Sequence, residues 1–166
     1  MNIAAIKDRL ALLFEGGLSS TSKTVAGMTG VKRAYAQGPL ALPETDLPLV
    51  VIFTGPTRSV NLIGGDLYQE SRQFNCRLYV VPVGQGIDGE AERKVEPFIE
   101  RGERLIMSRE SLGDGDPADF IAGVFTVAYL GDSGVQVMRY AGIDFLGVEF
   151  RVAIDAVIEQ DAAPID

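Results

Sequence analysis

The chain has 166 residues, 46% of them hydrophobic, a formal net charge of −8 and no histidine. That length fits one domain. The acidic balance excludes free nucleic acid as a partner for the whole surface, because phosphate binding needs clustered Lys and Arg. The missing histidine removes the commonest general base, metal ligand and triad base. Cys76 is the only cysteine, so no intrachain disulfide can contribute.

In chain order, Ile3, Ile6, Leu10, Leu13 and Phe14 fall at helical spacing and predict an amphipathic helix, capped by Asn2 and ended by Gly16-Gly17. Residues 18–48 predict a long flexible loop, since Ser19-Ser20-Thr21-Ser22, several glycines and three prolines crowd it. Within it, Gly16 to Pro43 carries Lys23, Lys32 and Arg33 and no acidic residue. Such an arm can reach an acidic neighbour and order on contact, with Val31, Tyr35, Leu40 and Leu42 as apolar anchors.

Leu49 to Thr54 is a β-branched, apolar run that predicts a strand. Ser59 to Asp66 extends it toward a turn at Gly64-Gly65-Asp66, and a second strand follows over Glu70–Val83, where Phe74, Cys76, Leu78 and Val80 alternate with Asn75, Arg77, Tyr79 and Val81. Ala91, Val95, Phe98, Ile99, Leu105 and Ile106 then predict a second amphipathic helix, with a kink or fresh start at Pro97. Three strands close the chain: Ile121–Leu130, Val135–Ala141 after a hairpin turn at Gly131–Gly134, and a long one in which Leu146, Val148, Phe150, Val152, Ile154 and Ala156 share one face. This order predicts a single α+β domain over residues 1–166: a mainly antiparallel sheet of about four or five strands with two helices packed on one face.

No strong catalytic motif appears. The segment from Gly27 to Arg33 lacks the spacing of a phosphate-binding loop. Asp114, Asp116 and Asp119 crowd one loop, and closely spaced carboxylates can hold calcium, but the glycine and glutamate of an EF-hand are missing and a solvated acidic turn fits better. The glutamates of the second helix lack the histidines of a di-metal site. Cys76 falls on an apolar strand face, as an inert buried thiol does. The expectation is therefore no catalytic residue, no metal and no cofactor.

Charge is uneven along the chain: Asp88 to Asp132 holds eleven acidic and five basic residues. A basic arm and an acidic body on one chain can pair between identical copies, head to tail, and close into a ring. Met1 to Phe14 carries Lys7, Asp8 and Arg9 at its middle and lacks the pattern of a signal peptide, and no apolar run reaches the ~18 residues of a membrane span. The expected compartment is the cytoplasm.

In the order of these elements the chain resembles the tail terminator (tail completion) proteins of long-tailed bacteriophages and the related minor tail and head–tail joining proteins. The residues that carry the resemblance are the first helix Ile3–Phe14, the strand Leu49–Phe53, the run Leu78-Tyr79-Val80-Val81 and the helix pattern Val95…Phe98-Ile99…Leu105-Ile106. To these is added the closing hairpin from Tyr140 to Phe145, feeding a strand to about Glu159. The resemblance implies a virion protein of the tail, assembled in the host cytoplasm. It implies a ring, usually a hexamer, on the end of the tail tube, with itself, the tail tube protein and head–tail connector proteins as partners. DNA would meet it only in transit through the lumen, and no membrane is involved. Lys23, Lys32, Arg33 and Tyr35 of the loop, and Asp114, Asp116 and Asp119 of the acidic turn, are the candidate interface residues. A head–tail connector or tail tube subunit remains an alternative. So does a small carboxylate-dependent enzyme or calcium-binding module.

Overall fold

The computed structural model describes residues 1–17, 26–65, 67–84, 89–108 and 124–159. Two helices, α1 (Ile3–Glu15) and α2 (Gly89–Met107), accompany six strands: β1 (Arg33–Tyr35), β2 (Leu49–Gly64), β3 (Leu67–Pro82), β4 (Val124–Asp132), β5 (Gln136–Tyr140) and β6 (Ile143–Glu159). All six strands belong to one sheet in the order β1-β2-β3-β6-β4, with β5 also paired to β6. The fold is α+β and mostly antiparallel, as expected, but has six strands rather than four or five. The extra strand is β1, three residues paired parallel to the start of β2 through Arg33↔Leu49 and Tyr35↔Val51. Three residues are too few to carry a period, so nothing in the sequence marks it.

The helical side of the sheet is one continuous core. Residues opposite each other in a ladder share a face, and Phe74↔Val152, Cys76↔Phe150 and Leu78↔Val148 form successive apolar rows. Against them pack Ile6, Leu10, Leu13 and Phe14 of α1 and Val95, Phe98 and Ile106 of α2. The Phe14 ring stacks on Phe150 at 6.1 Å. Each such side chain taken from water contributes about 1.5–3 kcal/mol. Asn2 caps α1, its side chain accepting from the Ala5 N–H at 3.1 Å, and Gly16 ends it at φ 92°.

Both helices thus lie on one face. Of the kink or fresh start expected at Pro97, the fresh start is absent: α2 runs without a break through it. Pro97 lies on the exposed side of α2, where the carbonyl it leaves unbonded can meet water. Gly102 occupies the buried stripe between Phe98 and Ile106, with the Phe150 ring where a Cβ would stand.

The opposite face carries a smaller core at one end, built from Leu42, Leu47, Leu49, Val51, Tyr79, Met138 and Phe145. Tyr79 meets both Tyr140 and Phe145 edge to face at 5.6 Å. Residues 26–48 are therefore no plain loop: Met28 is buried in the helical-side core and Leu42 and Leu47 in the second. The rest of the expected loop, with Lys23, lies outside the described residues.

Gly131–Gly134 is not the hairpin turn its composition predicts. β4 and β5 both pair antiparallel with β6, over Val124↔Ala156 to Asp132↔Phe150 and then Gln136↔Gly147 to Tyr140↔Ile143. They are two parts of one interrupted strand. At the break the Ser133 N–H donates to Glu149 O at 3.0 Å and the Glu149 N–H donates to Ser133 Oγ at 3.0 Å. Asp132 accepts from the Gly134 N–H at 2.7 Å. The true reversal is Ala141-Gly142, at φ 48° and 83°, a two-residue turn with both centres left-handed.

Candidate functional site

The sheet is longer than its helices. β2, β3 and β6 run 16, 16 and 17 residues, about 55 Å at ~3.3 Å per residue. The 13 residues of α1 cover about 20 Å. The far end of the β2–β3 hairpin therefore stands clear of the helices, with Val60, Leu62, Ile63 and Leu67 exposed.

Both long edges of the sheet are open among the described residues. β1 covers β2 only as far as Val51, and β4 ends the sheet on the other side. Open edges offer unpaired N–H and C=O groups to another strand, and folds commonly blunt them with charge, proline or bulges. The middle of β2 is blunted, by Pro56 and by register shifts between Thr54 and Thr57 and between Thr57 and Ser59. The distal stretch from Val60 to Gly64 carries no charge. β4 carries none from Val124 to Gly131. The exposed large hydrophobic residues follow the same two borders: Val60, Leu62, Ile63 and Leu67 at one, Leu130, Val137 and Ile143 at the other, with Leu12, Leu40 and Met107 elsewhere.

Of the residues expected to seek a partner, Lys32, Arg33 and Tyr35 are tied to their own chain. The Arg33 guanidinium donates to Glu15 Oε1 at 3.0 Å, and that carboxylate raises its pKa. Lys32 Nζ donates to the Thr45 carbonyl at 3.3 Å. The Tyr35 hydroxyl donates to Asp46 Oδ2 at 2.7 Å, which raises the tyrosine pKa first by that bond and then by burial. These three residues gather along β1 beside the 3-10 turn Glu44–Asp46. Lys32 and Arg33 stay exposed. Lys23, Asp114, Asp116 and Asp119 lie outside the described residues.

The remaining chemistry is structural. Burial drives the Cys76 thiol far above its ordinary pKa, so it carries no thiolate. Among the described residues, no three Asp, Glu, Cys or His side chains converge to hold a metal ion, and no helix is long and apolar enough to cross a membrane. Arg77 pairs with Glu149 at 2.6 Å on the face away from the helices, its guanidinium 4.8 Å from the centre of the Phe53 ring. The open edges were missed from sequence because a strand's neighbours, unlike its faces, leave no period. The signal that could have found them is the uncharged, mostly apolar run Val60-Asn61-Leu62-Ile63 beyond Pro56 in a strand with no further core to fill.

No family model matches the chain, and no curated protein matches it in sequence.

Proposed function

We propose that this chain is a structural subunit of a bacteriophage tail, of the tail-terminator kind. In this reading it closes into a ring, a hexamer in the family it resembles, on the end of the tail tube. The ring halts tube growth and presents the surface that a head–tail connector meets. It acts by shape and needs no catalytic residue or cofactor, and DNA only passes through.

The single observation that supports the reading is the pair of edges, open among the described residues, on opposite sides of one sheet, each with an uncharged stretch bordered by exposed hydrophobic side chains. A surface that joins one edge to a different edge is heterologous, and repetition of such a contact closes a ring when the rotation allows. The acidic balance of the chain, −8 overall, suits a lumen that must not hold phosphate.

A tail tube subunit would use the same edges, and would stack its rings. Negative-stain electron microscopy with light scattering on the purified chain separates the readings. Single rings, six copies of the 17.8 kDa chain, support the terminator; stacked tubes favour the tube subunit. A chain that stays monomeric at every concentration and salt overturns both.

A further inference from the structure

Six arginines lie on strands: Arg33, Arg58, Arg72, Arg77, Arg139 and Arg151. Five have an acceptor within the chain. Arg33 meets Glu15, Arg72 meets Glu70, Arg77 meets Glu149 and Arg139 meets Asp144, while Arg151 donates to the Asp132 carbonyl. Among the described residues Arg58 alone has none, and it is exposed on the open edge of β2, as the extra residue of the bulge between Thr57 and Ser59. Bulges re-aim side chains and recur where a strand edge has a task.

Among the strand carboxylates whose side chains are described, one is left over in the same way. Glu70, Glu149 and Asp144 hold the arginines just named, and Asp132 accepts from the Tyr129 hydroxyl and the Gly134 N–H. Among the described residues Asp155 accepts only the Thr126 hydroxyl, at 3.2 Å, and meets no cation. It lines a trough of about 370 Å³ with Ile63, Gln69, Thr126 and Val157, so two apolar and two uncharged polar side chains surround one carboxylate. An arginine, with an apolar stem and a charged head, fits such a lining.

The two leftovers lie at one height. Ser59 pairs with Ser71, Ser71 with Asp155, and Asp155 with Thr126, so a single transverse row runs from the β2 edge to the β4 edge. A ring generated by rotation about an axis along the strands keeps every row level from copy to copy. The row that ends at Thr126 then continues at Ser59 of the next copy, next to its Arg58. Two strand spacings, about 10 Å, separate the backbones of that Arg58 and Asp155, a gap their two side chains can span together.

We propose that Arg58 of one copy enters the trough of the adjacent copy and pairs with its Asp155, setting the register in which the β2 edge meets the β4 edge. This rests on the ring reading above. A charge pair of this kind selects the register and the partner more than it adds affinity.

The test uses the full chain, by light scattering over a concentration series at low salt. Arg58→Glu and Asp155→Arg are each expected to raise the half-assembly concentration at least about tenfold, and the double reversal to return it to within about threefold of the parent. Asp155→Asn, which can keep the Thr126 bond, guards against misfolding of Asp155→Arg: it should weaken assembly and remove most of its salt dependence. Single reversals that assemble like the parent overturn the Arg58–Asp155 pairing and leave the ring reading standing. A parent that stays monomeric, with or without a cross-linker, overturns both.

Discussion

The carboxylate of Glu15 holds Arg33 with one oxygen and the backbone N–H of Ala34 with the other, at 3.0 and 2.9 Å. The last residue of α1 thereby clips the outermost strand and occupies a donor on its free edge. The sheet cannot be extended at β1 without displacing this side chain, which directs any pairing to the part of β2 that β1 leaves bare.

Removing the clip should cost stability by an amount that depends on what replaces it. Glu15→Ala leaves the part-buried Ala34 N–H without its acceptor, an expected loss of about 1–3 kcal/mol in urea denaturation. Glu15→Gln keeps an acceptor and loses only an ion pair open to solvent, an expected loss under about 1 kcal/mol. Equal losses would mean that the charge, and not the bond to Ala34, holds β1.

The turn between β5 and β6 places Ala141 at φ 48°, a left-handed conformation that costs a residue with a Cβ about 1–2 kcal/mol. Asparagine tolerates it, and Asn-Gly is the preferred pair in such turns. Ala141→Asn should therefore stabilise the protein by about 0.5–1 kcal/mol, seen as a higher melting temperature. A lower one would refute the turn assignment.

Gly102 and Gly147 are among the glycines required by close approach. A Cβ on Gly102 would stand 2.3 Å from the Phe150 ring, and one on Gly147 only 1.8 Å from the Leu78 carbonyl oxygen. Helix propensity favours alanine at position 102 by about 1 kcal/mol, but overpacking costs about 1–3 kcal/mol, so Gly102→Ala should be net destabilising. Pairing it with Phe150→Leu should recover part of the loss. Gly147→Ala meets backbone, which no side-chain repacking relieves, and should be the worse of the two by denaturant midpoint.

The alkaline limb of stability should be steep. Burial raises the pKa of Tyr79, Tyr129 and Tyr140, helped at Tyr129 by its bond to Asp132, and the bond to Asp46 raises that of Tyr35. A folded pKa above the unfolded value of about 10 means the stabilisation is complete below pH 10 and is lost as pH rises through the folded values. Absorbance titration should show these phenols ionising late and together with loss of structure, while stability stays flat from neutrality to about pH 9.5 as far as tyrosine decides it. Free ionisation of all tyrosines near pH 10 in the folded protein would contradict this.

What could be seen in the sequence was what periodicity records. The stripe Ile6, Leu10, Leu13 and Phe14 and the face from Leu146 to Ala156 both lie in the core, because each repeats long enough to define a side. Gly131-Asp132-Ser133-Gly134 misled because glycine and short polar residues serve a bulge as readily as a turn. Lys32 and Arg33 read as groups awaiting a partner, since their acceptors at Thr45 and Glu15 are brought to them only by the fold. Arg58 drew no attention for the opposite reason: a lone surface arginine becomes notable only when every other strand arginine has its acceptor.

The bulged stretch around Pro56 has a consequence for the geometry of growth. It breaks the free border of β2 into a short unusable part and a distal remnant of five residues, Val60 to Gly64. A uniform border would let a neighbour slip along it two residues at a time, since the pleat repeats by two, and each slip would convert a level circle into a spiral with a pitch. So short a remnant has nowhere to slip to without losing most of its hydrogen bonds. In the proposed ring, the defect in the strand would act as a stop and hold the accretion of copies to one plane.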